Sequence, residues 1–278
     1  VSLEELQRAK ETGTARDSCF VCPTPDCHAN KTPISLSHLR GDQRKGGGTE
    51  YGLRLWDNED IVPREGDVIG ERLYCIRWVE TVQSGNKVQQ IRHYLAPDAD
   101  DLAREEKILQ LIGERFADWQ ERGVIPNRQI EPGDKTDEPI RTRGWTHWHH
   151  LFNPRQLLVN GLFNQAVEKS ECPAALLLLV GKLADNCCRL SQWLVNQSAG
   201  LGGAKHAFAN QALNPLLNYA CRSFSSFKTL MLDVDPCYIG RSTKVYAVDA
   251  RETEFRADLW ITDPPYADAV NYHELSEF

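Results

Sequence analysis

The chain has 278 residues and a net charge of −7, with 41% hydrophobic and 26% charged residues. This is an ordinary globular composition, long enough for one large domain or two ordinary ones. The negative balance excludes a global basic field, so any contact with nucleic acid has to come from a local patch. The longest apolar stretch, residues 174–180, is far too short to span a bilayer, and no charged n-region precedes an apolar h-region, so no membrane partner is expected. Nine cysteines, an odd number without a secretory signal, point to reduced thiols in a cytoplasmic setting.

Residues 1–95 read as an irregular, partly β segment carrying a degenerate zinc ribbon. Cys19, Cys22 and Cys27 lie in Cys-x2-Cys-x4-Cys, followed by His28 and later His38. Thiolates at this spacing suit tetrahedral Zn²⁺, which makes Cys19, Cys22, Cys27 and His28 the candidate ligands. A second Cys-x2-Cys pair is missing, so a knuckle that holds no metal is an equal reading. Gly46-Gly47-Gly48, preceded by Arg40, Arg44 and Lys45, reads as a mobile, solvated basic loop. The run Leu73-Tyr74-Cys75-Ile76-Arg77-Trp78 alternates like a strand with its thiol turned into a core.

Residues 96–228 read as a mostly helical insertion that would supply DNA contacts. Leu109, Ile112, Phe116 and Trp119 form one apolar stripe in a helix over 101–122, stopped by Gly123. A loop spans residues 126–144. It leads into a basic-aromatic cluster of Arg141, Arg143, Trp145, His147, Trp148, His149 and His150. Arg141, Arg143, Trp145 and Trp148 are the candidate nucleic-acid contacts, since arginines grip phosphates and tryptophans stack on bases. The competing reading packs both tryptophans under the next helix. No helical or hairpin pattern gathers the three histidines, so they are not read as metal ligands.

Asn153-Pro154 starts a helix as cap and first-turn proline. A further helix starts near Pro173, with a leucine stripe running on to Leu194 and Arg189 on its polar side. The Gly200–Gly203 region follows a helix-like segment and lacks phosphate-loop spacing, so it reads as a linker. Residues 210–224 read as a helix broken at Pro215.

Residues 229–278 carry the chemistry. Lys244 to Asp249 reads as a strand, and Asp258-Leu259-Trp260-Ile261-Thr262 as a second, buried one. At its end stands Asp263-Pro264-Pro265-Tyr266. The prolines fix φ and lack N–H donors, so the corner cannot relax into a helix. Ligand crevices in open α/β sheets lie at such strand ends. An earlier Asp235-Pro236-Cys237-Tyr238 looks like a broken copy and reads as a turn with an incidental cysteine.

The tetrapeptide Asp263-Pro264-Pro265-Tyr266 resembles the catalytic motif of the amino-methyltransferases, which use S-adenosylmethionine to methylate an exocyclic nitrogen of adenine or cytosine in DNA. Residues 267–278 and 133–143 resemble one group within them, the prokaryotic adenine-specific DNA methylases that carry a DUF1156 segment and a zinc-ribbon insertion. So do Gly144-Trp145-Thr146-His147-Trp148 and Leu151-Phe152-Asn153-Pro154-Arg155. The resemblance covers the last two-thirds of the chain.

It implies an α/β fold: part of a Rossmann-like methyltransferase sheet preceded by the helical insertion. It implies S-adenosylmethionine as cofactor, DNA as partner, and Asp263, Pro264, Pro265 and Tyr266 as catalytic residues. By the same analogy Asp249 contacts the adenosine of the cofactor, with a helix cap as the other reading. The Asp at the motif's first position favours adenine N6. The family's Phe-x-Gly-x-Gly loop is absent from this sequence, and the chain stops at Phe278 within a helix-like pattern. The chain is therefore read as a fragment, inactive by itself, whose partners include the remainder of its own methyltransferase domain. The rival reading is a non-catalytic nucleic-acid-binding module that retains the motif.

Overall fold

The computed structural model describes residues 8, 11–85, 87–171, 173–191, 207, 213, 215, 218–223, 248–254 and 256–262. Near the start, β1 (Ala15–Arg16), β2 (Cys19–Phe20) and β3 (Ile34–Ser35) form a small antiparallel sheet in that order. Two short helices, α1 (His28–Lys31) and α2 (Leu36–Arg40), flank β3. The Ser35 hydroxyl caps α2 by accepting the His38 N–H at 3.2 Å.

The glycine-rich basic stretch is a hairpin and not the loose loop expected. β4 (Gln43–Lys45) and β5 (Gly48–Glu50) pair antiparallel. Gly46 and Gly47 sit at φ 51° and 101°, the left-handed region that a tight two-residue turn demands.

Residues 51–75 carry no helix or strand and are organised by charge instead. Arg54 grips both oxygens of Asp67 at 2.9 and 2.7 Å and reaches Asp60 at 2.7 Å. Arg64 reaches the other Asp60 oxygen at 2.5 Å. Burial opposes the Asp60 charge, but the two arginines and the Asp57 N–H hold its carboxyl below the ordinary range. Next, β6 (Ile76–Ser84) and β7 (Lys87–Leu95) form a nine-pair antiparallel hairpin. Cys75 lies just before β6 and is half-buried, not enclosed in a core.

The helical part begins with α3 (Ala99–Glu121), whose Asp98–Asp101 capping box fixes its start. Ile112, Phe116 and Trp119 from the apolar stripe are buried while Leu109 stays exposed, and Gly123 at φ 69° ends the helix. α4 (Asp137–Arg143) occupies part of the stretch expected as a loop. Asp137 and Glu138 suit a helix N-terminus, Pro139 is tolerated in a first turn, and Gly144 closes the helix at φ 75°.

α5 (Pro154–Glu168) starts at the Asn153 cap, which exchanges side-chain hydrogen bonds with Gln156. It crosses α3 where Gly161 meets the Trp119 ring, so close that a Cβ at 161 would stand 2.2 Å from Cζ3. α6 (Pro173–Asn186) stops eight positions short of Leu194, because Arg189 turns inward and its N–H bonds to the Leu151 carbonyl at 2.7 Å.

Residues 218–223 are a strap and not the C-terminal part of a helix. Ala220 donates to the Ser191 carbonyl at 3.0 Å and accepts from Gln156 Nε2 at 3.1 Å. Arg222 Nε caps α6 at the Asn186 carbonyl, 2.8 Å away. The main core gathers Trp56, Ile112, Phe116, Trp119, Trp145 and Trp148 with neighbours from 151 to 213.

Every sheet among the described residues is antiparallel and has two or three strands. The Rossmann-like sheet expected in 229–278 is not among them. Residues 258–262, expected as a buried strand, belong to no strand there, and Leu259, Trp260 and Ile261 are 73%, 57% and 87% exposed. A strand needs a neighbouring backbone to pair with, and none of the described residues supplies one. No helix among the described residues is long and apolar enough to cross a membrane.

Candidate functional site

The segment following α4 is built on close backbone approaches. Gly144 accepts the Trp56 N–H at 2.7 Å, and any Cβ there would fall 2.1 Å from the Arg54 carbonyl oxygen. Only glycine allows that crossing. Thr146 then donates its hydroxyl to the Trp56 carbonyl at 2.5 Å. A 3₁₀ turn over Trp148–Leu151 folds the chain back and gathers the three histidine rings. His149 and His150 have ring centroids 4.2 Å apart, and His147 lies 5.6 and 5.4 Å from them.

Their nitrogens are mostly committed to the protein. His150 Nδ1 accepts the N–H groups of Thr146 and His147 at 3.0 and 3.2 Å, and its Nε2 donates to the Asp57 carbonyl at 3.1 Å. Those partners require the neutral Nε2–H tautomer. Burial first, then the neighbouring His149, pushes the His150 pKa down to about 2. Burial and His147 likewise hold His149 at about 4. His149 Nδ1 faces Gln120 Nε2 at 3.4 Å, and its enclosed Nε2 finds no partner among the described residues.

Arg189 sits at the centre of this region, 1% exposed. Its Nε and one terminal nitrogen each meet a Glu71 oxygen at 2.7 Å. It also donates to the carbonyls of His150, Phe152 and Ile61 at 2.6, 2.7 and 3.2 Å. The guanidinium lies 5.5 Å from the Trp56 ring and 5.4 Å from that of Trp145. Burial works against its charge, and Glu71, helped by Tyr219, more than restores it. One side chain thus ties residues 61, 71, 150 and 152 to the turn after α6. The sequence pattern puts Arg189 on a polar helix face; its ring neighbours and acid lie too far along the chain to show in that pattern.

The expected nucleic-acid contacts divide. Trp145 and Trp148 are 3% and 4% exposed and pack in the core, so their rings offer no face to a base. Arg143 is partly buried: its guanidinium donates to the Thr142 carbonyl at 3.1 Å and to that of Pro215 at 3.4 Å. Burial lowers its pKa. Arg141 is exposed and paired with Glu138 one turn back.

The four expected zinc ligands lie around the first sheet. Cys19 stands in β2, paired with Ser35, while His28 opens α1. Cys22 and Cys27 meet, and hydrogen bonds from Thr24 and then Cys27 lower the Cys22 pKa. No group of three or more His, Cys, Asp or Glu among the described residues is placed to hold a metal ion.

Asp249 is the cap of a 3₁₀ turn over Ala250–Glu252, accepting the Arg251 N–H at 2.9 Å and its guanidinium at 2.6 Å. Arg251 holds its carboxyl below the ordinary range. Asp263, Pro264, Pro265 and Tyr266 lie outside the described residues, as do the Gly200–Gly203 region and Cys237. Compared with family models, curated proteins and solved structures, the chain finds no match.

Proposed function

We propose that this chain is part of an S-adenosylmethionine-dependent DNA methyltransferase that transfers a methyl group to the exocyclic N6 of adenine. The observation that carries the reading is Asp263-Pro264-Pro265-Tyr266 placed directly after the apolar run Leu259-Trp260-Ile261. The exposure of those three large side chains supports it, since an apolar run of this kind seeks cover from a neighbouring element.

The chemistry asked of the corner is modest. An exocyclic base amine is a poor nucleophile because its lone pair is delocalised into the ring. The Asp263 carboxylate and the Pro264 carbonyl accept its two N–H groups and draw the nitrogen toward a tetrahedral shape. Tyr266 stacks on the base, which has to leave the duplex to be reached. Catalysis is then positioning and electrostatics, with no covalent enzyme intermediate.

S-adenosylmethionine supplies the electrophilic methyl when bound. The described residues provide no cradle for it. The Asp249 carboxylate, expected on the adenosine, is engaged by Arg251 and by its own turn, so no step is routed through it. The test is product analysis by the complete protein. After incubation with S-adenosylmethionine and mixed-sequence duplex, nuclease digestion followed by mass spectrometry should show N6-methyldeoxyadenosine. N4-methyldeoxycytidine alone, or duplex binding with no methylated nucleoside at all, would overturn the reading.

A further inference from the structure

The β6–β7 hairpin stands out because its two faces differ in chemistry and it pairs chiefly with itself. Its register places Arg77 opposite Tyr94, Val79 opposite Arg92, Thr81 opposite Gln90 and Gln83 opposite Val88 on one face. The other face carries Ile76 opposite Leu95, Trp78 opposite His93 and Glu80 opposite Ile91. The only carboxylate in the two strands, Glu80, is on that second face, bonded to His93 at 2.9 Å. The first face therefore carries two arginines and no acid, in a chain whose net charge is −7. Thr81, Gln83, Gln90 and Arg92 on it are exposed.

These are side chains that read base edges. Arginine pairs bidentately with guanine, glutamine with adenine, and threonine meets either a polar edge or a thymine methyl. A two-stranded ribbon fits the B-DNA major groove, about 12 Å wide. Nine residues at about 3.3 Å each give roughly 30 Å of ribbon, close to one helical turn of DNA.

Resting on the DNA reading above, we infer that the Arg92–Gln90 face of the β6–β7 hairpin is a sequence-reading arm that lies in the major groove of duplex DNA.

The test uses the complete protein and a fluorescein-labelled mixed-sequence duplex. Arg92→Ala should weaken duplex binding about tenfold and lower the slope of log K against log salt by about one if it meets phosphate. Where it meets a base, the slope holds and discrimination drops by about tenfold or more. Gln90→Ala should relax sequence preference by a similar factor. Both residues are exposed, so folding is not at stake. Trp78→Ala and Ile91→Ala, on the opposite face, should leave duplex binding unchanged.

Unchanged binding and preference in Arg92→Ala and Gln90→Ala would overturn the inference, even if the wild type methylates DNA. Loss of duplex binding confined to the Trp78 and Ile91 variants would also overturn it, because the duplex would then lie on the opposite face. A wild type that grips duplex through this face yet transfers no methyl would uphold the arm and remove the methylation reading.

Discussion

Glu71→Gln isolates the charge on Arg189 without emptying its surroundings. The guanidinium is 1% exposed, held by both Glu71 oxygens at 2.7 Å and by three backbone carbonyls. Removing one partner of a buried pair costs about 3–5 kcal/mol, because the remaining charge stays desolvated. The Glu71 side chain is 22% exposed, so water softens the loss and places it near the lower end, about 3 kcal/mol. Arg189→Met removes the charge but also takes a donor from the carbonyls of Ile61, His150 and Phe152, at about 1–3 kcal/mol each before relaxation. In that background Glu71→Gln should cost under about 1 kcal/mol, giving a coupling of at least about 2 kcal/mol. Equilibrium urea unfolding followed by tryptophan fluorescence reads all four proteins, with Trp56 and Trp145 beside the guanidinium as reporters. Additive losses, or a single-variant loss under about 1 kcal/mol, would refute the central place given to Arg189.

Gly161→Ala drives a methyl group into the Trp119 ring and should cost about 1–3 kcal/mol with a changed near-ultraviolet tryptophan signal; an unchanged midpoint would contradict the α3–α5 crossing. Acid should destabilise the fold through His149 and His150. Burial lowers both pKa values, to about 4 and about 2, from an ordinary 6.5, so their contribution is complete above pH 6.5. As pH falls below that value the unfolded chain binds protons the fold refuses. Each site then loses about 1.4 kcal/mol per pH unit, or roughly 2 kcal/mol by pH 5. Denaturant midpoints that stay level between pH 7 and pH 5 would show that these rings are not held neutral. Arg141→Ala, which breaks only an exposed pair with Glu138, should shift stability by under about 1 kcal/mol. A thermal melt beside the wild type is enough to check it.

What the sequence revealed depended on how local the cause was. The α3 stripe of Leu109, Ile112, Phe116 and Trp119 is a repeat at three and four residues, visible in any window, and all but Leu109 are buried. The Asn153-Pro154 start is equally local, since cap and first-turn proline are neighbours. Burial of Trp145 and Trp148 was one of two open readings, because a tryptophan's composition suits both a core and a base stack. α4 was hidden by Gly133, Pro132 and Pro139, which read as breakers although a proline in the first turn is harmless. Arg189 was hidden by distance: its acid is 118 positions away, and its other acceptors are backbone carbonyls that any sequence possesses. The proposed catalytic corner is the reverse case: its reading rests on four consecutive residues, Asp263 to Tyr266, that fall outside the described part of the fold.

The proposal's central claim is that the Asp263 carboxylate accepts a hydrogen bond from the exocyclic N6–H of adenine while the methyl is transferred. The most direct measurement compares wild-type and Asp263→Ala versions of the complete protein for transfer of labelled methyl from S-adenosylmethionine to adenine-containing duplex. Denaturant midpoints are recorded alongside. The account predicts matching midpoints and a turnover reduced by about 10²–10³. Near wild-type turnover in the variant would contradict it.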